Sequence, residues 1–109
     1  MKTIQDALSA LTYPVCHPPY RGSATQYVTF QLLGQSSILF AEGEEKETGV
    51  AYAVNVYCGS TDIMEMALAV KTALQDAGYV VTIEPETFEK EAGLRRILMT
   101  AKAVGPVYG

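Results

Sequence analysis

Cysteine and histidine adjoin at Cys16–His17, and His17 is the only histidine in the chain. A Ser–His–Asp or Cys–His catalytic arrangement would therefore have to use this histidine. Adjacent side chains in an extended segment point apart, and Pro18 stiffens the chain here, so we do not expect His17 to activate Cys16. The pattern favours a solvated loop histidine, and we expect neither enzymatic chemistry nor a bound cofactor.

A group of carboxylates, formed by Glu42, Glu44, Glu45 and Glu47, suggests a second kind of chemistry. Hard cations such as calcium take several carboxylate ligands. The spacing lacks the alternating Asp/Asn ladder and the fixed glycine of a calcium loop, so we expect no metal site. A solvated acidic loop or a charged contact surface is the prediction. No glycine-rich turn joins a strand to a helix with a following lysine, which argues against nucleotide binding.

Arg95 and Arg96 stand where the last predicted strand begins. We expect them to pair with Glu89 or Glu91 across a hairpin, or alternatively to contact another subunit. The chain also holds seven tyrosines and no tryptophan. Most should be half-buried residues of the sheet, whereas tyrosines in loops, such as Tyr13 and Tyr20, suit contact surfaces.

The composition predicts one domain spanning residues 1–109, because 49% of the residues are hydrophobic and can form a core. Eight basic and 12 acidic residues give a net charge of −4, and the basic residues form no cluster. We therefore expect no nucleic-acid surface. The apolar stretches are too short for a membrane span, and no signal peptide is evident, so we expect a soluble protein. Cys16 and Cys58 lack metal or redox spacing, which favours two reduced thiols, although a disulfide stays open as an alternative.

The first elements are a helix and a hairpin. Apolar residues at Ile4, Ala7, Leu8 and Leu11 predict a short helix, capped by Thr3 and ended by Pro14. The prolines of "PVCHPPYRG" predict an irregular connection. "QYVTFQLL" and "SILFA" then read as two strands joined by a turn at Gly34–Ser37, followed by the charged loop "EGEEKETG".

The second half predicts a central strand, a helix and two more strands. Both faces of Val50–Cys58 are small or apolar, which indicates a strand covered on both sides. A helix over 62–77 has a core stripe, but Met64 and Leu68 extend its apolar surface beyond one sheet contact. "YVVTIE" and "RRILMTAKAV" read as strands. The segment between them, "PETFEKEAG", could start a short helix at Pro85, but a hairpin that turns at Glu91–Gly93 is favoured. The expected fold is α+β, with two helices on a mainly antiparallel sheet of four to five strands, in the order α-β-β-β-α-β-β.

Three segments, taken in order, resemble the tail completion or tail terminator proteins of bacteriophages and prophages. They are "YVTFQLLGQSSILFAEGEE", "AVNVYCGSTDIMEM" and "ALQDAGY…TFEKEAGLRRILMTA". The resemblance covers about Tyr27 to Val104 and lies in the order and spacing of loose motifs. The chain departs from the family at Asn55, where an aspartate is frequent, and at 94–96, where aromatic residues or histidine are frequent.

The resemblance implies a structural virion protein rather than an enzyme. Such subunits form a ring, usually a hexamer, on the head-proximal end of the tail tube, where they end tail polymerisation and help to join tail to head. The implied partners are copies of the chain, the tail tube protein and the head connector proteins. The implied location is the virion, reached from the host cytoplasm, with the free protein either assembled or monomeric.

Apolar surface left over by one small domain points the same way, because association would bury it. We expect intersubunit or tube contacts at the following residues: Met64, Leu68, Tyr52 or Tyr57, Glu42, Glu44, Glu45, Glu47, Arg95 and Arg96. The alternative function is a small ligand-binding or adaptor α+β domain of a bacterium. A ligand site in that domain would lie around Cys16, His17 and Tyr20.

Overall fold

The computed structural model describes residues 2–41 and 44–104, and gives the backbone alone for 35–41, 44–48 and 104. Its elements are α1 (Ile4–Ala7), β1 (Val15–Cys16), β2 (Gln26–Ala41), β3 (Glu44–Cys58), α2 (Ile63–Asp76), β4 (Val80–Ile83), β5 (Thr87–Glu89) and β6 (Leu94–Val104). The six strands form one sheet in the order β1-β2-β3-β6-β4, and β5 also pairs with β6. Among the described strands, the β1–β2 pairing alone is parallel. The predicted α+β class with a mainly antiparallel sheet is confirmed. The described sheet has six strands, whereas the sequence predicts four to five.

Strands β2 and β3 form one long hairpin, paired from Gln26–Cys58 to Ala41–Glu44. The predicted turn at Gly34–Ser37 is therefore wrong, as is the separate "SILFA" strand, because these residues continue β2. The pairing shifts register in three places, the first of them between Leu32 and Gly34. Bulges absorb glycine and other turn-prone residues without ending a strand, which explains the error.

The charged segment that follows "SILFA" does not form the predicted loop in its described part. Residues Glu44 to Thr48 belong to β3, where Glu44 pairs with Ala41 and Glu47 with Leu39. The central strand, which the sequence pattern begins at Val50, therefore begins inside the acidic segment. Glu42 lies outside the described residues.

The core lies between the helices and one face of the sheet. Alternate residues of β3 and β6, among them Val54, Val56, Ile97 and Met99, are fully buried there. The stripe of α2 that packs on them consists of Ile63, Met66, Ala67, Val70 and Leu74. These faces are the ones that the alternation of β3 and β6 and the helical periodicity of α2 predict.

Local signals place both ends of α2. The Ser60 hydroxyl oxygen accepts a hydrogen bond from the Asp62 amide at 3.3 Å, just before the helix begins at Ile63. After Ala77 the chain turns through Gly78 at a φ of 100°, a conformation that glycine adopts at little cost. The predicted bounds, 62–77, are confirmed to within one residue at each end.

The first helix is shorter than predicted. Thr3 caps it as expected, with its hydroxyl oxygen accepting the Asp6 amide at 3.1 Å, but α1 ends at Ala7 rather than near Pro14. The Ser9 hydroxyl and amide both donate to the Asp6 carbonyl, at 2.7 and 3.2 Å. Serine competes in this way for backbone groups that a longer helix would use.

The proline-rich connection contains a short strand that the sequence pattern did not predict. Val15 and Cys16 form β1, which runs parallel to β2 opposite Val28 and Thr29. The carbonyl of Pro14 accepts the Val28 amide at 2.9 Å. Proline removes a donor but keeps its acceptor, so it can stand at the start of an edge strand.

The turn between β5 and β6 agrees with the predicted hairpin. Gly93 has a φ of 67°, and its amide donates to the Glu89 carbonyl at 2.9 Å. This turn sets the register of β5 on β6, with Glu89 opposite Leu94 and Thr87 opposite Arg96. The hairpin positions Glu89 of β5, and Glu86 just before it, beside the arginines of β6.

Candidate interaction surface

The two faces of the sheet differ in what covers them. Both described helices contribute buried residues to the core on one face, which we call the covered face. The other face carries the alternate residues of the same strands, and we call it the open face. Its central members are Tyr27, Thr29, Ala53, Asn55, Tyr57, Arg96 and Thr100. The sequence pattern predicts that both faces of β3 are covered. Both described helices pack on the covered face, and neither covers the open face.

Three tyrosines stack across the open face. Tyr27 and Tyr57 stand directly opposite each other on β2 and β3, and their aromatic rings lie 4.7 Å apart at 21°. Tyr20, from the connection after β1, stacks on the other side of Tyr27 at 4.0 Å and 23°. Burial raises the pKa of Tyr27, and the neighbouring Tyr57 and Tyr20 raise it further. Tyr27 is therefore a neutral, packed member of the stack.

Arg96 continues this row toward the far edge of the sheet. It stands opposite Tyr57, and its Nη1 donates to Glu89 at 2.8 Å, as the sequence predicts. Its Nε is buried without a hydrogen-bond partner among the described residues. We call the set Tyr20, Tyr27, Tyr57, Arg96 and Glu89 the tyrosine row. It presents aromatic faces beside one ion pair.

Arg95 does not pair with either predicted glutamate. Its Nη1 binds Glu86 at 2.8 Å, and both side chains are more than a third exposed. Neighbouring residues of a strand point to opposite faces, so Arg95 lies on the side away from Arg96 and Glu89. Glu86 precedes β5, where no strand pattern marked it as a partner.

Met64 and Leu68 form an apolar pair on the outside of α2. Their exposed fractions are 51% and 49%, whereas the adjacent Ile63 and Ala67 are buried. Residues four positions apart lie on the same side of a helix one turn from each other, so the two side chains form one surface. The predicted excess of apolar surface on α2 is confirmed.

Tyr52 lies on the covered face and packs within the protein. Its aromatic ring makes edge contacts with Phe30 at 6.5 Å and Tyr79 at 6.3 Å. The Tyr79 hydroxyl donates to the Lys2 carbonyl at 2.7 Å, and burial, aided by Tyr52, raises the pKa of Tyr79 to about 12. Of the two tyrosines proposed for contacts, Tyr57 is thus the one on the open face.

His17 and Cys16 are directed to different neighbours, as the extended conformation predicts. A carbonyl oxygen only accepts, so His17 Nδ1 carries the proton and donates to the Phe30 carbonyl at 3.1 Å. The imidazole also packs on the Phe30 ring at 4.4 Å. Cys16 pairs with Thr29 on the open side. Both cysteines are free, which confirms the expectation of reduced thiols.

Cys58 ends β3 in a fully buried position next to the start of α2. Its sulfur lies 3.4 Å from the Ser60 hydroxyl and 3.5 Å from Nε2 of Gln26. Burial opposes ionisation of the thiol, but the hydrogen bonds from Ser60 and Gln26 outweigh it and lower the pKa of Cys58. These contacts tie the end of β3 to the first residues of β2.

The proposed acidic contacts at Glu44, Glu45 and Glu47 lie on β3, in the part of the hairpin for which the backbone alone is described. Among residues 2–34 and 49–103, for which side chains are described, no group of three His, Cys, Asp or Glu side chains is arranged to hold a metal ion. No described helix has the length and apolar character needed to cross a membrane.

The sequence pattern did not predict the exposure of four large apolar side chains, which are Leu32, Leu33, Val80 and Phe88. Leu32 shares the covered face with Val28 and Phe30, yet it is 50% exposed because it stands on β2 at the first bulge, beyond β1. Alternation identifies the face of a strand but not where its neighbours end. The Tyr27–Tyr57 contact could have been found only from the β2–β3 register.

The chain was also compared with known proteins. It matches no protein-family model, and no curated protein is similar enough in sequence to serve as a relative.

Proposed function

We propose that this chain is a structural subunit of a phage or prophage tail, which assembles as a hexameric ring on the head-proximal end of the tail tube. In that position it ends tail polymerisation and helps to join the tail to the head. Its partners are further copies of the chain, the tail tube protein and the head connector proteins. The protein acts in the virion and reaches it from the host cytoplasm during assembly.

The observation that carries this proposal is the exposed apolar pair on α2. Met64 and Leu68 are each about half exposed, while the remaining apolar residues of the helix stripe are buried. A helix needs one apolar stripe to pack on a sheet, so a second apolar surface at its start favours another contact. Burying the exposed halves of both side chains would contribute roughly 2 kcal/mol per subunit, before the cost of association.

The open face gives independent support. Tyrosine and arginine are enriched in protein interfaces, because both offer large planar surfaces and a polar end. The tyrosine row places three such aromatic side chains and Arg96 on a face that no described helix covers. Tyr57 and Arg96 belong to the contacts proposed from the sequence, and they lie side by side.

The element order is also compatible with the resemblance. A long hairpin, a helix and an antiparallel strand set follow one another from Tyr27 to Val104, the part of the chain that carries the motifs. The turn motif "TFEKEAGL" forms the β5–β6 hairpin with Gly93 at its positive φ.

The test is the assembly state of the purified chain, alone and mixed with polymerised tail tube protein from the same genome. Sedimentation velocity and negative-stain electron microscopy should show rings, free or at one end of the tubes. The variant Met64→Lys/Leu68→Lys should remain folded and fail to assemble. The matched control is Thr72→Lys/Gln75→Lys, which adds two lysines at exposed polar positions of the same helix.

The outcomes separate cleanly. Assembly lost in the first variant and kept in the control supports an interface on α2. Wild-type protein that stays monomeric both alone and with tubes would refute the proposed function. Rings that form equally well in both variants would show that α2 does not provide the contact.

A further inference from the structure

A segment that we call the strap, residues 18–25, crosses one corner of the open face and is tied at both ends. At its start, His17 donates to the Phe30 carbonyl of β2 at 3.1 Å. At its end, the Gly59 amide donates to the Thr25 carbonyl at 2.9 Å. Between these ties, Tyr20 is the one strap residue that is not exposed. The strap is therefore attached to the sheet mainly through a single side chain.

The strap is folded around the hydroxyl of Tyr20. The Ala24 amide donates to this hydroxyl at 3.0 Å, while the aromatic ring stacks on Tyr27 at 4.0 Å. A Cβ at Gly22 would lie 2.2 Å from the hydroxyl oxygen, so a larger residue would push the aromatic ring off its position. Gly22 is thus required for the strap to close over Tyr20.

Two groups lie at the corner that the strap crosses. Tyr27 turns one face of its aromatic ring to Tyr20 and the other to Tyr57. Cys16, just before the strap, is half-buried beside Thr29, which is only 3% exposed although it belongs to the open face. We propose that the strap is a lid, with Tyr20 as its latch, which opens while the sheet stays folded and exposes the Tyr27 ring and the Cys16 thiol.

The physical basis is the small number of interactions that hold the lid shut. Segments with few buried contacts open locally at a much lower free-energy cost than global unfolding. The hydrogen bonds at His17 and Thr25 act as hinges, because they hold the ends to β2 and β3 while the middle moves. Tyr20 and Tyr27 also belong to the tyrosine row, but opening of the strap requires no assembly and is measured on the unassembled chain.

Thiol labelling with a disulfide reagent such as DTNB measures the opening. Cys58 is fully buried and serves as the internal reference for global unfolding, while Cys16 reports on the strap. Because an aromatic stack is worth about a factor of ten in an equilibrium, Tyr20→Ala should raise the labelling rate of Cys16 about tenfold and leave that of Cys58 unchanged. Tyr20→Phe keeps the stacked ring and is the matched control, with a smaller increase.

A second variant reaches the latch from the other side. Gly22→Ala leaves Tyr20 in the sequence but displaces its aromatic ring, so it should also accelerate Cys16 labelling and trypsin cleavage after Arg21, which lies in the strap. Faster labelling of Cys16 alone in both variants supports the lid. Unchanged Cys16 labelling in both, or parallel acceleration of Cys16 and Cys58, would overturn it.

Discussion

The covered and open faces of the sheet are made from alternate residues of the same strands, yet they are held in different ways. On the covered face, Val56 and Ile97 are fully buried against the helices. On the open face, their neighbours Tyr57 and Arg96 are half-buried and contact side chains in the same layer. One face therefore supplies most of the folding energy, whereas the other holds side chains suited to recognition. Substitutions on the two faces should separate folding from assembly.

The sharpest test of this difference compares two neighbours on β6. Met99 is fully buried on the covered face, and Met99→Ala should lower the free energy of unfolding by about 3 kcal/mol through lost burial and a cavity. Thr100 points to the open face, and Thr100→Ala should change it by less than about 1 kcal/mol. Urea unfolding followed by circular dichroism measures both. Equal losses would mean that the open face is packed as tightly as the covered one.

A smaller effect is expected at the middle of the tyrosine row. Tyr27→Ala removes both stacking contacts of this side chain and should lower the free energy of unfolding by about 2 kcal/mol. Gln31→Ala, at an exposed position of the same strand, is the control and should have almost no effect. If the two variants unfold at the same urea concentration, the row contributes nothing to stability.

The pH dependence of stability at Tyr79 tests the packing of the covered face. Tyr79→Phe removes the hydrogen bond to the Lys2 carbonyl and should cost about 1 kcal/mol near neutral pH. The raised pKa of about 12 means that the folded protein holds this proton longer than the unfolded chain does. Wild-type stability should therefore be fully present below the normal tyrosine pKa and decline as pH rises from about 10 to about 12.

The Phe variant cannot lose this proton, so its alkaline decline should be shallower. Urea midpoints of both proteins, measured in parallel across this range, give the difference and cancel the titration of lysines and other tyrosines. Parallel curves would contradict the assigned pKa.

The smallest effect belongs to the exposed ion pair of Arg95 and Glu86. A double-mutant cycle with Arg95→Gln and Glu86→Gln should give a coupling of about 0.5 kcal/mol that weakens as salt is added. Both side chains are more than a third exposed, so the pair should contribute least among these variants. A coupling that does not respond to salt would indicate that the pair is less accessible to solvent than its exposed fraction suggests.

Much of the fold follows from local patterns, since α2, the two faces of β3 and the Gly93 turn all lie where periodicity and turn chemistry predict them. The errors occur where a long-range partner overrides a local signal. Gly34, Ser36 and Ser37 favour a turn by themselves, but pairing with β3 keeps them in a strand with bulges. Pro14 and Pro18 argue against a strand, although Val15 and Cys16 between them still reach the edge of β2.

The candidate surface was predictable in part for the same reason. Met64 and Leu68 stand out because a helix repeats regularly and the excess is visible in the sequence alone. The tyrosine row joins side chains from separate strands and from an irregular segment, so it depends on the β2–β3 and β3–β6 registers. Sequence order places Tyr20, Tyr57 and Arg96 far apart, and only the paired strands bring them into one line.

The position of β6 constrains how the chain can fold during synthesis. This strand lies between β3 and the β4–β5 edge, yet it leaves the ribosome after all of its neighbours. Until Leu94–Val104 emerges, the backbone N–H and C=O groups that β3 and β4 pair with β6 remain unpaired, and unpaired strand edges favour association with other nascent chains. Completion of the sheet therefore requires β6, and truncation anywhere before this strand should yield an aggregation-prone product rather than a smaller stable domain.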